Sequence, residues 1–89
     1  METAPTARDL AVELGKRIRI ERVERSMAQL ELVKRTGLAD STIRRIEKGT
    51  RDASTSQLHT IAGVFGMPLS QLIARAEDSL KRQRESLDW

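Results

Sequence analysis

The chain has no cysteine and no tyrosine, and it contains only one phenylalanine, one tryptophan and two prolines. Without cysteine it can form neither a disulfide framework nor a thiolate metal site. Its 89 residues are enough for one small domain. Because aromatic residues are so few, the core of that domain must be built from leucine, isoleucine, valine and alanine.

Long apolar runs are also missing from the sequence. No stretch approaches the roughly 18 apolar residues that a membrane span requires, and charged residues make up 33% of the chain. The N-terminus lacks the apolar segment of a secretory signal. We therefore expect a cytoplasmic protein that does not bind a membrane.

The positive charge is concentrated in one segment. The net charge is +3, but residues 34–51 hold six cations and two anions, so the rest of the chain carries −1. A basic patch confined to one segment is typical of a surface that binds a polyanion. A solvated face rich in lysine and arginine would have the same composition, so charge alone leaves both interpretations open.

The N-terminal part is predicted to form a loose arm and one helix. Residues 1–8 contain Pro5 and little apolar content, and Asp9 is predicted to cap a helix that runs to about residue 25. The inward stripe of this helix has helical spacing and comprises Ala11, Leu14, Gly15, Ile18 and Arg22. Since its last member is a cation on an apolar face, that residue needs a partner.

Two short helices joined by a tight turn follow. The second helix is predicted over residues 29–36, and Gly37 suits the left-handed residue that ends it. The third helix is predicted over residues 40–48, and Gly49 stops it. This arrangement is a helix-turn-helix.

Two more helices complete the domain. Ser54 and Gln57 have the form of a capping box and open a fourth helix that ends at Gly66. Pro68 suits the first position of a fifth helix. No segment alternates with the period of a strand, so the fold class is all-α and the domain is predicted over residues 9–75.

The C-terminal segment, residues 76–89, is predicted to be either a helical extension or a frayed, charged tail. Seven of its fourteen residues are charged, while Leu80 and Leu87 continue the apolar spacing of the fifth helix. Leu87 and Trp89 could anchor a protein partner, because tryptophan is favoured in the pockets of interfaces. A disordered chain end is the alternative.

The third helix has one apolar and one cationic face. Ala39, Ile43 and Ile46 fall on its inner side. Its outer side is formed by Ser41, Arg44, Arg45 and Lys48. Arginine can donate two hydrogen bonds to guanine O6 and N7, so Arg44 and Arg45 are predicted to read bases in a major groove.

Phosphate contacts are predicted around this helix. Lys48 and Arg51 lie near its end and in the following loop. Gln29 and Thr55 begin the second and fourth helices, where backbone N–H groups can approach an anion. Such contacts would fix the register of the protein on the duplex, while the outer face specifies sequence.

Glu47 lies at the margin of the inner face of the third helix. Pairing it with Arg22 would satisfy both charges and fix the third helix against the first. We expect this pair to be architectural rather than a DNA contact.

The order and spacing of these residues resemble the xenobiotic-response-element (XRE) family of helix-turn-helix proteins, which shares the five-helix domain of lambdoid phage repressors and Cro. The resemblance covers about residues 14–73. It is carried by Arg22, Gln29, Gly37, Ile43, Glu47, Gly49, Ile61 and Ala62. By resemblance, Gln29 is a phosphate contact, Arg22 and Glu47 form the structural ion pair, and the base readers are Asp40, Ser41, Arg44 and Arg45.

Some positions depart from the family pattern. Ala28 and Ala39 stand where a serine or threonine cap is usual, which weakens each helix start by about 1 kcal/mol. Asp40 stands where a glutamine is frequent. Its carboxylate could accept a hydrogen bond from cytosine N4 but would be repelled by phosphates.

The leading hypothesis is a sequence-specific DNA-binding repressor that acts as a dimer on a palindromic operator of double-stranded DNA. The fifth helix with the tail, or a second apolar face of the first helix (Val12, Ile20 and Val23), could form the dimer interface. The alternative is an antitoxin that represses its own operon and binds a toxin through its C-terminal tail. A phage immunity regulator or a restriction–modification controller would have much the same sequence.

Two other classes fit less well. An adaptor without DNA binding would carry acids on the outer face of the third helix, where this chain has three cations. An enzyme is not expected, because the only histidine, His59, has no cysteine, acid cluster or glycine-rich phosphate loop near it in sequence. We therefore predict no catalytic residue, no metal and no cofactor.

Overall fold

Five helices make up the computed structural model of the chain, which describes residues 4–87, the last of them by its backbone alone. In chain order they are α1 (Ala7–Glu24), α2 (Gln29–Thr36), α3 (Asp40–Lys48), α4 (Thr55–Val64) and α5 (Leu69–Leu87). No strand occurs within the described residues, and the predicted all-α fold is confirmed.

The start of α1 differs from the prediction. Thr6, not Asp9, is the N-cap: its side-chain oxygen accepts a hydrogen bond from the Asp9 N–H (3.1 Å). The Asp9 carboxylate in turn accepts from the Thr6 N–H (2.9 Å), which completes a capping box and lowers the pKa of Asp9. Residues 7 and 8 therefore belong to the helix and not to an arm, while residues 1–3 lie outside the described part of the chain.

The helix-turn-helix has the predicted bounds. Gly37 ends α2 with a φ of 73°, and its N–H donates to the carbonyl of Val33 (2.9 Å). Gly49 ends α3 with a φ of 80°. Both positions lie in the left-handed region, which costs glycine little. Neither α2 nor α3 has a side-chain cap, because alanine precedes each of them.

The ends of α4 and α5 shift by one or two residues. Ser54 and Gln57 form the expected capping box, but α4 ends at Val64 and Gly66 already has a φ of 73°. α5 begins at Leu69, so Pro68 precedes the helix and does not occupy its first position. The Pro68 carbonyl accepts hydrogen bonds from the first turn, as the residue before a helix does.

The core forms where α1 packs on α3 and α5, and where α2 and α4 pack on those helices and on each other, and it is almost entirely aliphatic. Its fully buried large apolar side chains, at least one from each helix, are Ile18, Leu32, Ile43, Ile61 and Leu72. α1 and α3 touch at Gly15, where an added Cβ would lie 2.9 Å from the carbonyl oxygen of Glu47 and nearer still to that of Ile46. Only glycine permits this approach, so it fixes where α3 lies on the domain.

The C-terminal extension is helical as far as Leu87 and packs on α1. Ala76 is fully buried, and the Gln83 side-chain amide donates to the Glu13 carboxylate (3.1 Å). The structure thus supports the extended helix, rather than the frayed tail, up to Leu87. No helix within residues 4–87 is long and apolar enough to cross a membrane.

Candidate nucleic-acid interface

The outer face of α3 is a continuous cationic surface. Ile43 and Ile46 are buried against the core, which turns the opposite side of the helix to solvent. The residues exposed there line one shallow depression: Ser41, Arg44, Arg45 and Lys48. Three cations and a hydroxyl at i, i+3, i+4 and i+7 spacing can meet phosphates and base edges in one groove.

The cations on this face differ in what they contact. Asp40 and Arg44 form an ion pair, with 3.6 Å between the carboxylate Oδ2 and Nε. Arg45 and Lys48 have no side-chain partner within residues 4–87. Asp40 therefore offsets part of the charge at the start of α3, and the full cationic charge lies toward its end.

A buried ion pair holds α3 against α1. Arg22 donates to both carboxylate oxygens of Glu47, from Nε (2.8 Å) and from Nη2 (3.0 Å). Its Nη1 donates to the carbonyl of Met27 (2.8 Å), in the segment before α2. Only 13% of the Arg22 side chain and 5% of the Glu47 side chain are exposed. One guanidinium thus links α1, α3 and the entry to α2.

Gln29 joins the same network. Its side-chain Nε2 donates to Oε1 of Glu47 (3.2 Å), which orients the amide at the start of α2. Gln29 lies in a second depression beside the outer face of α3, lined by Arg19, Arg22, Gln29, Arg44, Glu47 and Lys48. From the sequence, Gln29 is predicted to contact a phosphate. In the structure it lines the same depression as two cations of α3, Arg44 and Lys48.

Arg19 was missed from the sequence. It is exposed on α1 and has no side-chain partner among the described residues, yet it shares the second depression with Arg44 and Lys48. From the sequence, no residue of α1 was predicted to contact DNA. The available signal was the pair of cations at Lys16 and Arg19, three residues apart on α1, with Arg19 one turn from Gly15 and Arg22 at the edge of the inward stripe.

Two predicted phosphate contacts lie apart from these depressions. Arg51 is exposed in the loop after α3 and lines a different depression, together with Leu10 and Ala11 of α1. Thr55 is exposed at the first position of α4 and lines none of the depressions described above. Their contact with phosphate stays a prediction.

The predicted partner anchor falls largely outside the structure. Trp89 and the side chain of Leu87 lie outside the described residues. His59 is exposed on α4. Within residues 4–87, no group of three or more histidine or acidic side chains is placed to hold a metal ion.

Behind the interface, a buried carboxylate joins α1 to α5. Glu21 is fully buried and accepts hydrogen bonds from Arg75 Nη1 (2.7 Å), Arg25 Nη1 (2.8 Å) and Arg17 Nε (3.0 Å). Burial by itself raises the pKa of Glu21, but the three guanidinium groups outweigh it and lower that pKa to about 2. Arg25 also donates to the carbonyl of Phe65 (3.0 Å), beyond the end of α4.

Comparison with known proteins gives matches in sequence. A family model described as helix-turn-helix matches residues 18–72. The transcriptional repressor RstR of the cryptic phage CTXphi of Vibrio cholerae is 29% identical over 70 residues, 79% of this chain and 63% of RstR. The immunity repressor protein of Bacillus phage phi105 is 29% identical over 73 residues, 82% of this chain and 49% of that repressor. The chain therefore spans less than two thirds of either relative.

Solved structures have the same fold. The clp gene regulator ClgR from Corynebacterium glutamicum matches with a TM-score of 0.82 at 20% identity, over 89% of this chain and 84% of that chain. The restriction-modification controller protein C.AhdI from Aeromonas hydrophila matches with a TM-score of 0.67 at 28% identity, over 72% of this chain and 96% of that chain. The predicted lambda-repressor-like fold is confirmed.

Proposed function

The chain belongs to the helix-turn-helix family, and from this premise we propose that it is a sequence-specific transcription regulator that reads double-stranded DNA through the major groove. The observation that carries the proposal is the outer face of α3, which is exposed, cationic and free of any covering element within residues 4–87. A helix held out in this way fits the width of a major groove, about 12 Å.

The contacts divide into two kinds. Arg44 and Arg45 are proposed to donate to guanine, with Asp40 and Ser41 contacting neighbouring bases. The proposed phosphate contacts surround this face: Gln29, Lys48, Arg51, Thr55 and, from the structure, Arg19. The Arg22–Glu47 pair keeps its structural role, because both of its side chains are almost wholly buried.

Repression by a dimer is the form of regulation that we propose. A single module of this size buries too little DNA surface for tight binding, so two copies on a palindromic operator, one helical turn apart, would supply the affinity. Two relatives named as repressors support repression rather than activation. Ile20 and Val23, two of the three residues of the candidate dimer face on α1, are 42% and 56% exposed.

Selection of bound duplexes from a random library tests the proposal. We expect a palindromic motif with two half-sites, and we expect the purified protein to lower transcription from a promoter that carries it. Selection without enrichment would contradict sequence-specific binding. A motif with a single half-site would contradict the symmetric dimer but would still support sequence-specific DNA binding.

The antitoxin alternative gains no support from the structure. It depends on Leu87 and Trp89, whose side chains lie outside the described residues, and α5 packs on α1 up to that region. None of the four relatives named above is described as an antitoxin. The observations therefore favour the regulator.

A further inference from the structure

The ion pair at the start of α3 joins an acid and a cation on the surface that is proposed to enter the groove. Asp40 and Arg44 are four residues apart, so their side chains lie on the same side of the helix. Both remain largely exposed, 58% for the Asp40 side chain and 61% for Arg44. An exposed ion pair adds little to folding stability. Its position therefore points to a role in binding.

The pair leaves the recognition atoms of Arg44 available. Asp40 approaches Nε of Arg44, while Nη1 and Nη2 have no hydrogen-bond partner within residues 4–87. Two guanidinium donors suffice for the bidentate contact with guanine O6 and N7. The carboxylate lies 3.6 Å from the third nitrogen, too far for a hydrogen bond, but its charge attracts the guanidinium and favours rotamers on this side of the helix, so less conformational entropy is lost on binding.

Asp40 also keeps an acceptor available. Its Oδ1 has no partner within the described residues, in contrast to Glu47, both of whose carboxylate oxygens accept from Arg22. A carboxylate on the groove surface can accept from the N4 amino group of cytosine. Residues four apart on a helix are separated by about 6 Å, and paired side chains converge, so they can reach base pairs about 3.4 Å apart.

We infer that Asp40 and Arg44 act as one unit that reads two adjacent base pairs, guanine by Arg44 and cytosine by Asp40, with Asp40 as the positioning residue for Arg44. This inference rests on the proposed function and names the sequence preference of that site. A carboxylate repels the phosphates of every duplex and is compensated only where cytosine meets it. Asp40 therefore lowers affinity for random DNA while it raises affinity for the correct site.

The chain offers a matched control. Glu31 and Arg35 form an ion pair of the same spacing on α2, with 2.6 Å between Oε2 of Glu31 and Nη2 of Arg35. Both side chains are about half exposed, and neither lies on the outer face of α3. Glu31→Gln thus makes the same change in net charge as Asp40→Asn without touching the proposed reading unit.

The experiment is selection from a random duplex library with the wild type, Asp40→Asn, Arg44→Ala, the double variant and Glu31→Gln. Affinities are then measured on the selected site and on random duplex. Asp40→Asn should weaken binding to the wild-type site by about 5- to 100-fold and strengthen binding to random duplex by about two- to fivefold. It should exchange the cytosine preference for adenine, because asparagine pairs with adenine N6 and N7.

Further outcomes decide whether the two residues act together. Arg44→Ala should remove the guanine preference and weaken the adjacent cytosine preference, and the double variant should lose less than the product of the two single losses. Multiplicative losses, or an unchanged motif in Asp40→Asn, would overturn the inference while leaving the regulator proposal in place. An equal change of motif in Glu31→Gln would overturn it too, since net charge would then suffice. A wild type that selects no motif would overturn both.

Discussion

At the scale of single residues, the cations around α3 differ in whether they would have to break an existing ion pair in order to bind DNA. Arg45, Lys48 and Arg19 have no side-chain partner within residues 4–87. Arg22, in contrast, is committed to Glu47 and to the carbonyl of Met27. An unpaired, exposed cation can bind a base or a phosphate without breaking an existing ion pair. The residue-scale predictions therefore concern the unpaired cations.

Arg45→Ala should weaken binding to the selected operator by about 1–3 kcal/mol and relax the preference at one base pair. The reason is the loss of a bidentate contact with guanine that no neighbouring side chain can replace. Fluorescence anisotropy on the operator and on single-base variants of it would measure this. Equal losses on operator and random DNA would show that Arg45 contacts phosphate and not a base.

Lys48→Ala and Arg19→Ala should each weaken binding to all duplexes alike and reduce the slope of log K against log salt by about one unit. Each substitution removes one phosphate contact and so the release of about one counterion. A salt titration measures the slope. Arg82→Ala, which removes an exposed cation of α5, is the control and should leave the slope unchanged. An unaltered slope for Arg19→Ala would remove α1 from the interface.

At the scale of helices, the position of α3 depends on its contact with α1. Gly15 allows the α3 carbonyls to approach the α1 backbone, and the bidentate Arg22–Glu47 pair fixes the two helices about two turns further along α1. α2 contributes Gln29, which donates to the same carboxylate. A groove-reading helix gains precision when its supports are rigid in this way.

Gly15→Ala should destabilise the domain by about 1–3 kcal/mol, because the added methyl group overlaps the carbonyls of α3 and forces the two helices apart. Gly63→Ala is the matched control. It lies in α4 and an added Cβ there has no atom within 4 Å, so it should stabilise by about 0.5–1 kcal/mol. Urea unfolding of both variants would compare them. If Gly15→Ala were neutral, the close approach of α1 and α3 would not be required.

At the scale of the whole molecule, Glu21 connects parts of the domain that are distant in sequence. Its carboxylate holds Arg17 and Arg25 of the N-terminal region together with Arg75 of α5. Since the folded-state pKa of about 2 lies below the ordinary value of 4.5, the charged form stabilises the fold above about pH 4.5. That contribution is lost as the pH falls from about 4.5 toward 2.

Glu21→Gln should therefore cost roughly 3 kcal/mol at neutral pH, and the difference from the wild type should shrink as the pH falls toward about 2. Urea unfolding at a series of pH values measures both. Glu24→Gln removes an exposed carboxylate from the last turn of α1 and should have little effect at any pH. A Glu21→Gln difference that stayed constant with pH would show that folding does not lower the pKa of Glu21.

Local sequence signals were sufficient for most of the fold. Helices begin or end at three signals that the sequence shows directly: Gly37, Gly49 and the capping box at Ser54. Each of these signals depends only on residues close to it in the chain. The errors were also local. Thr6 and Asp9 can each cap a helix, and the reciprocal hydrogen bonds between them favour Thr6 as the cap. The fixed φ of Pro68 is compatible both with the residue before a helix and with its first residue, so the proline alone does not determine where α5 begins.

The sequence by itself determined that α3 has one apolar and one cationic face, because the spacing of its residues sets both. The tertiary structure alone decided which other side chains meet that face. Arg19 stands beside Lys48, and Arg75 beside Glu21, only because α1 packs against α3 and α5. Such contacts join residues 29 and 54 positions apart in the chain, and no local periodicity carries that information.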